Sequence, residues 1–179
     1  KIVAENEPNH VVTMQWFQRK NDVKLCGIDE SIAILHTFAQ NPANLEILAL
    51  EDGDIISANE PVLKVTGKYE DFGFLESVID GILARRTSVA TNVYEVMKVI
   101  GDTPVFSMAD RQDDYLTQAG DGYATYVAGI TKVSTDAQGV WWGGKGMGTM
   151  LHSLIQICNG DVCKAADIYH KTFPNEKIT

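Results

Sequence analysis

The stretch that decides the fold is residues 103–133, TPVFSMADRQDDYLTQAGDGYATYVAGITKV. Its first residues, Thr103 to Met108, are rich in β-prone apolar side chains and predict a strand. Asp113 to Tyr126 then has the apolar spacing of a helix despite two glycines, and Val127 to Val133 is β-prone again. A strand, a helix and a second strand in this order are typical of a parallel sheet with crossover helices.

The same alternation continues toward the C-terminus. Thr149 to Asn159 predicts a helix that Gly160 ends, and Asp161 predicts the N-cap of another helix through Phe173. The predicted fold class is therefore α/β, with the first units of a parallel sheet or barrel. The printed chain stops at FPNEKIT, where a further strand is due, so we expect it to be part of a longer polypeptide.

The residues upstream predict a small sandwich or half-barrel, because short strands alternate with tight turns. Residues 11–19, VVTMQWFQR, predict a strand, and residues 62–66 predict another after two tight turns. Asp29 predicts the N-cap of an amphipathic helix between them, and Pro42 predicts its stop. We therefore expect a separate N-terminal domain at residues 1–70.

A long helical pattern links the sandwich to the barrel units. Apolar residues recur with helical spacing from Phe72 to Gly101, where glycine predicts the residue that ends a helix. The polar residues Arg85–Thr87 predict a break in this pattern. We place these linking helices with the barrel units in a second, incomplete domain of residues 71–179.

Composition excludes several classes of protein. The 179 residues are 45% hydrophobic and 22% charged, which is too apolar for a disordered chain. The net charge of −9 disfavours nucleic acid and anionic membranes as partners, because phosphate contacts need clustered Lys and Arg. Residues 1–10 are polar and acidic and do not resemble a signal peptide. No stretch of the sequence approaches the 18 or so uninterrupted apolar residues of a membrane span. Three cysteines, an odd number, indicate reduced thiols and a cytoplasmic protein.

Two candidate ligand contacts follow predicted strands. Arg111 comes just after the strand that ends at Met108, where an arginine can hold a phosphate or carboxylate with two hydrogen bonds. The alternative is that Arg111 pairs with a neighbouring Asp on an exposed loop. Ser134 follows the next strand and could donate to a ligand carboxylate or ring, or belong to an ordinary turn and helix cap.

The glycine-rich run Trp141–Thr149, WWGGKGMGT, nearly completes a phosphate-binding P-loop that begins at Gly139. The match fails at Gly146, which stands where a P-loop has the Ser or Thr that binds magnesium. We therefore expect these glycines to let the backbone pass close to a ligand instead.

His152 opens the helix that follows this run. A helix N-terminus attracts anions, and a histidine there can donate to a phosphate or attack one. The alternative is a structural histidine. The other histidines show no metal-ligand spacing, so we predict no metal site in this chain.

Five segments in order carry a resemblance to a known family. They are VVTMQWFQRK, LCGIDESIAIL, ILARRTSVATNVYEVMK, VSTDAQGVWWGGKGMGTMLHSLIQ and GDVCKAADIYHKTFP. Together they resemble the bacterial-type nicotinate phosphoribosyltransferases, from about residue 11 to the C-terminus. The resemblance covers only the front half of a family member. It implies an N-terminal α/β sandwich that leads into an irregular (β/α) barrel of the type II phosphoribosyltransferase kind.

The resemblance also implies roles for particular residues. His152 matches the histidine that ATP phosphorylates in related enzymes, and Arg111 matches a basic residue that contacts the substrates. Met108 stands where relatives stack an aromatic ring on the pyridine, and a thioether can also pack on a ring. Ser134 falls where relatives contact the carboxyl or amide group of the pyridine.

Two further positions are implied as substrate-binding. Thr149 belongs to the GTxxHSLI segment, and Arg86 resembles the arginine that the quinolinate enzymes extend across a dimer. The implied substrates are nicotinate and 5-phosphoribosyl 1-diphosphate, with ATP and Mg²⁺ as cofactors and a homodimer that shares its active sites. The late phosphate loops and magnesium carboxylates of relatives are not in this sequence.

The sequence leaves two alternatives to a nicotinate phosphoribosyltransferase open. The same fold could act on nicotinamide or quinolinate, although quinolinate, with two carboxylates, calls for more basic residues than the segment STDAQ offers. A non-catalytic binding domain would also be consistent with an incomplete barrel.

Overall fold

The computed structural model describes residues 1–147 and 150–175. The helices are α1 Ile2–Asn6, α2 Ile28–Phe38, α3 Tyr69–Phe72, α4 Glu76–Val99, α5 Gln118–Val127, α6 Asp136–Gly139, α7 His152–Ile157 and α8 Val162–Thr172. The strands are β1 Val11–Trp16, β2 Val23–Lys24, β3 Glu46–Ala49, β4 Ile55–Ile56 and β5 Leu63–Lys68. Short 3-10 turns lie at Pro42–Asn44, Gly73–Leu75 and Tyr115–Thr117.

The described chain divides into two compact units. The first unit comprises Lys1–Pro104 and Tyr123–Ile130, and the second comprises Val105–Gly122 and the described part of Thr131–Thr179. The predicted boundary between residues 70 and 71 lies within the first unit, inside α3. It stays a prediction.

The first unit is built on an antiparallel sheet in the order β1-β5-β3. Strand β5 alternates as a half-buried strand does, because Leu63 and Val65 are fully buried while Lys64 between them is exposed. Strands β2 and β4 form a second, two-stranded sheet. The predicted N-terminal α/β sandwich is confirmed, with β1 ending at Trp16 and β5 running two residues beyond the predicted strand.

Helices α2 and α4 close the core of this unit. Leu35 of α2 and Ile79 of α4 are fully buried, and α4 packs against both α2 and β2. The buried apolar core comprises Trp16, Val23, Leu25, Ile28, Leu35, Ala39, Ile56, Val62, Leu63, Val65, Phe72, Leu75, Ile79 and Leu83. Burying these side chains drives the fold of this unit.

The predicted break at Arg85–Thr87 is wrong, because α4 runs unbroken from Glu76 to Val99. Polar side chains do not by themselves break a helix, arginine is a good helix former, and here the neighbouring element also pairs with the polar residues. Thr87 Oγ1 donates to the Cys26 carbonyl (2.9 Å) and accepts from the Cys26 amide (3.2 Å). Gly101 lies just after the helix with a left-handed φ of +58°, as predicted.

The N-terminus of α2 differs from its prediction. Gly27, with φ +106°, is the N-cap in place of Asp29, and the helix ends at Phe38, four residues before Pro42. The capping oxygens come from a distant turn: Asp52 accepts from the backbone N–H of Ile28 (2.8 Å) and, at 3.4 Å, from that of Asp29. The sequence pattern predicted a cap from a neighbouring residue, Asp29, and did not indicate the long-range cap from Asp52.

We expect Asp52 to make stability depend on pH. Burial raises the pKa of the Asp52 carboxyl above its ordinary 3.8, although the hydrogen bonds from Ile28 and Asp29 oppose the rise. The native state thus holds this proton more tightly than the unfolded chain. The free energy of unfolding therefore falls as pH rises from 3.8 through the higher native pKa. Denaturant titrations should show a shallower fall in Asp52→Asn, and equal slopes in both proteins would contradict this.

The two strands predicted at Thr103–Met108 and Val127–Val133 are wrong as continuous strands. Within the described residues they reduce to isolated parallel bridges, Ser107 to Val133 and Val133 to Gly146. Pro104 supplies no N–H for a ladder. Helix α5 continues to Val127, and the chain then turns through Gly129 at φ +108°. The parallel direction of the bridges agrees with the start of a parallel sheet.

The remaining helices lie close to their predicted positions. A 3-10 turn and α5 replace the single helix predicted from Asp113, and α7 is shorter than predicted. The Asp161 side chain accepts from the Lys164 amide (3.0 Å) and caps α8, which confirms that prediction.

Candidate functional site

The candidate site lies in the second unit, where three backbone segments run side by side. The amide of Ser107 donates to Lys132, that of Ser134 to Ser107, and that of Met147 to Val133, at 2.8–3.0 Å. Val133, the central residue, is fully buried. Because the bridges are parallel, the residues that follow them leave at one edge of the unit. Two residues that were predicted to contact a ligand directly follow bridged residues at this edge: Met108 follows Ser107, and Ser134 follows Val133. Arg111 comes three residues after Met108.

Arg111 is exposed at this edge. Its side chain is 70% accessible, and Nε lies 3.6 Å from an Asp110 carboxylate oxygen. An exposed ion pair of this kind contributes at most about 1 kcal/mol and leaves the guanidinium largely available. The predicted ligand contact and the alternative, pairing with a neighbouring Asp, are therefore compatible in one conformation.

Ser134 belongs to a hydrogen-bonded network around a buried amide. The Gln138 side chain is fully buried, and its Oε1 accepts from Ser134 Oγ (2.9 Å), Ser134 N (3.1 Å) and Thr135 N (3.2 Å). Thr135 Oγ1 accepts from the backbone N–H of Gln138 (3.3 Å), and this hydrogen bond completes a capping box at the start of α6. Thr135 Oγ1 also donates to Gln118 Oε1 (2.9 Å). The network fixes the loop at the end of the second segment.

Sequence reasoning missed Gln138. A signal was present, since Thr135-x-x-Gln138 matches the capping-box pattern of a helix start. The pattern predicts the backbone contacts of the amide but not its burial or its contact with Ser134.

Gly139 and Gly146 lie where one backbone segment of the loop packs closely against another. A Cβ on Gly139 would lie 2.1 Å from the Gly144 carbonyl oxygen, and one on Gly146 would lie 2.7 Å from the Thr135 backbone. Gly146 N also donates to Asp136 Oδ1 (2.9 Å). At Gly139 and Gly146 the close contacts are between backbone segments, and the expected approach of the glycine-rich run to a ligand stays a prediction.

Gly122 shows the same close packing and gives a stability test. A Cβ there would lie 2.0 Å from the Gln138 carbonyl oxygen, whereas one on Gly81, in the interior of α4, meets nothing within 4 Å. We expect Gly122→Ala to lower the free energy of unfolding by about 1–3 kcal/mol or more, through overpacking. Gly81→Ala should raise it by about 0.5–1 kcal/mol, because alanine restricts the unfolded chain. Denaturant unfolding of both variants measures this, and equal effects would contradict the packing.

His152 is the first residue of α7 and is exposed. Within the described part of the chain its imidazole makes no hydrogen bond or ion pair. Helix α7 has six residues, fewer than the predicted eleven. Thr149 lies outside the described residues, so its predicted contact stays a prediction. Met108 is 42% exposed at the end of the first segment.

Arg86 lies in the first unit, on α4. Its Nε donates to one Glu30 carboxylate oxygen (2.8 Å) and its terminal nitrogen to the other (3.2 Å). The side chain is 11% accessible, so this two-bond pair is largely shielded from water. The role predicted for Arg86 across a dimer stays a prediction.

A cavity of about 610 Å³ opens in the first unit and was not predicted. Its floor is apolar, including Trp16, Leu25 and Leu83, and Arg19 and Lys20 also line it. The helical residues that line it belong to α4.

The described residues contain neither a cluster suited to a metal ion nor a membrane-spanning helix. No group of three or more His, Cys, Asp or Glu in residues 1–147 and 150–175 could hold a metal ion. In that same part of the chain, no helix is long and apolar enough to cross a membrane.

The first unit matches a known domain. Residues 2–87 match the family model described as "Quinolinate phosphoribosyl transferase, N-terminal domain". Nicotinate phosphoribosyltransferase pncB1 of Mycobacterium tuberculosis is 24% identical over 106 residues. That alignment covers 59% of this chain and 24% of the relative. The chain is related, over part of its length, to the nicotinate phosphoribosyltransferases.

Solved structures extend the likeness to nearly the whole chain. The nicotinate-nucleotide pyrophosphorylase of Pyrococcus furiosus is 26% identical, with a TM-score of 0.80 over 92% of this chain and 42% of its own. Human nicotinic acid phosphoribosyltransferase shares the fold at 17% identity, with a TM-score of 0.73 over 83% of this chain and 37% of its own. The chain thus has the α/β fold of the type II phosphoribosyltransferases and spans less than half the length of these relatives.

Proposed function

We propose that the natural protein carrying this sequence is a nicotinate phosphoribosyltransferase of NAD salvage. The pyridine nitrogen of nicotinate attacks C1′ of 5-phosphoribosyl 1-diphosphate and forms the N–C1′ bond. The C1′–O bond breaks, and its electron pair leaves with diphosphate, so the products are nicotinate mononucleotide and diphosphate. The observation that supports the proposal is the parallel bridge between Ser107 and Val133, because Met108 and Ser134 directly follow these residues and Arg111 follows Met108 by three positions.

Each of these residues suits a part of the reaction. Negative charge develops on the departing diphosphate, and the exposed Arg111 guanidinium can stabilise it with two hydrogen bonds. The Met108 thioether can pack on the pyridine ring. The Ser134 hydroxyl can contact the carboxylate of nicotinate. Under this proposal Thr149 is a further substrate contact, and a homodimer brings Arg86 to the partner's site.

His152 accepts the γ-phosphoryl group of ATP on a ring nitrogen, which releases ADP. Water then attacks the phosphorus, the N–P bond breaks, and inorganic phosphate leaves. This hydrolysis drives the synthesis forward. The exposed, unpartnered ring fits such an acceptor, within the part of the chain that is described. Magnesium, when bound, would neutralise phosphate charge. We assign it no residue, because no ligand cluster lies among residues 1–147 and 150–175.

The proposed setting is the cytoplasm. Cys26, Cys158 and Cys163 are all free, which suits a reducing compartment. Burial raises the pKa of the Cys26 thiol, so this cysteine is not a reactive thiolate.

A second candidate is quinolinate as the substrate, favoured by the family model that residues 2–87 match. Quinolinate carries two carboxylates, and forming the same nucleotide from it releases one as carbon dioxide. The described edge offers one arginine and hydroxyl groups, which suit a single carboxylate better. Initial rates of the natural protein with nicotinate, quinolinate and nicotinamide, each with 5-phosphoribosyl 1-diphosphate, test this. Nicotinate should give the highest kcat/KM, and carbon dioxide release from quinolinate at a higher kcat/KM would refute the proposal.

A further inference from the structure

The buried amide of Gln138 receives more hydrogen-bond donors than its oxygen can fully accept. A side-chain carbonyl oxygen has two lone pairs, but three donors lie within 3.2 Å of Gln138 Oε1. Two of them are the backbone N–H groups of Ser134 and Thr135, whose directions the loop fixes. The third is the Ser134 hydroxyl, whose proton rotates freely about the C–O bond.

The surplus donor is therefore the one that can leave. If the Ser134 hydroxyl proton turns away, the Thr135 N–H still donates to Gln138 Oε1, and the Ser134 N–H divides its hydrogen bond between that oxygen (3.1 Å) and the Ser107 carbonyl (3.0 Å). No buried acceptor is then left without a partner, so the rotation is not penalised as the loss of a buried hydrogen bond would be. The backbone N–H groups of Ser134 and Thr135 can only donate, so the oxygen end of the amide faces them, and Gln138 Nε2 contacts Ser107 Oγ at 3.4 Å.

We propose that Gln138 is a positioning residue that makes Ser134 selective for an anionic substituent on the pyridine. This inference rests on the proposed function. Gln138 fixes the position of the Ser134 oxygen through the loop. Because the Gln138 side chain is neutral, it accepts only a weak hydrogen bond from the Ser134 hydroxyl. The Ser134 hydroxyl is thus free to donate to a carboxylate. Toward an uncharged amide substituent, the same hydroxyl keeps its proton on Gln138 and accepts a hydrogen bond between neutral groups, which is weaker than the charge-assisted bond that it donates to a carboxylate.

A carboxylate at residue 138 would reverse this preference. It has nearly the same shape as the amide, but it would hold the Ser134 proton by a charge-assisted bond. It would also bring a second negative charge toward the substrate carboxylate. The penalty falls on nicotinate and spares nicotinamide, which a general disturbance of the loop would not do.

The test is Gln138→Glu in the natural protein, with nicotinate and nicotinamide as separate substrates. The KM for nicotinate should rise about tenfold with kcat nearly unchanged, while the KM for nicotinamide stays within about twofold. Ser134→Ala should also raise the nicotinate KM, and it serves if Gln138→Glu does not fold. Equal changes for both substrates, or an unchanged nicotinate KM in Ser134→Ala, would overturn the inference. If the unmodified protein uses neither substrate, the proposed function itself fails.

Discussion

Replacing His152 by alanine in the natural protein is expected to abolish ATP hydrolysis coupled to nucleotide synthesis. The side chain is exposed at the start of α7, and alanine there removes the phosphoryl acceptor without opening a cavity in a core. We expect coupled ADP formation to fall by a factor of about 100 or more. Slow synthesis without ATP should survive, because in the proposed reaction the pyridine nitrogen is the attacking group and Arg111, which binds the diphosphate, is unchanged.

The chain offers a matched control in His170, an exposed histidine in the last turn of α8. His170→Ala should leave coupling unchanged. The decisive readout is acid-labile, base-stable label from γ-phosphate-labelled ATP, which His152→Ala should lose and His170→Ala should keep. Label that persists in His152→Ala would assign the acceptor to another residue.

Replacing Arg111 by lysine should lower kcat/KM strongly. Lysine keeps the positive charge but loses the planar group that forms two parallel hydrogen bonds to a phosphate. We expect a loss of about 2–4 kcal/mol of transition-state stabilisation, which corresponds to a roughly 30- to 900-fold lower kcat/KM. Initial rates with varied 5-phosphoribosyl 1-diphosphate measure it.

Asp110→Asn separates this role from a surface ion pair. It removes the carboxylate that lies 3.6 Å from Arg111 Nε and leaves the arginine in place. If Arg111 binds substrate, Asp110→Asn should change kcat/KM by less than about threefold, since an exposed pair contributes little. An Arg111→Lys protein as active as the unmodified one would show that Arg111 serves only its acidic neighbour.

Local sequence patterns predicted the elements that local forces determine. Asp161 caps α8 because the cap and the amide it satisfies are three residues apart. The strand predicted at residues 62–66, after a tight turn, is confirmed as β5 for the same reason.

The misses arose where distant residues satisfy a local need. Asp52 caps α2 from a turn 24 residues away, so no local pattern could reveal it. The polar residues Arg86 and Thr87 lie inside a continuous helix because Glu30 and the Cys26 backbone pair with them. Sequence patterns do not contain such tertiary partners.

The candidate site was predictable in its residue types and their order, but not in its hydrogen bonds. Arg111 and Ser134 follow β-prone runs, and the structure places both runs in parallel contact. Gln138 was not predicted as a site residue, because its contact with Ser134 depends on its complete burial. That burial depends on how the loop through Gly139 and Gly144 folds back.

The central claim, nicotinate ribosylation coupled to ATP, is tested most directly by phosphorus NMR of one reaction. The natural protein is mixed with nicotinate, 5-phosphoribosyl 1-diphosphate, ATP and magnesium, and the phosphorus signals are followed in time. The account predicts that the phosphate monoester of nicotinate mononucleotide and free diphosphate grow in equal amounts, accompanied by ADP and inorganic phosphate. A reaction that forms no such nucleotide from nicotinate, but forms it when quinolinate replaces nicotinate, would contradict the account.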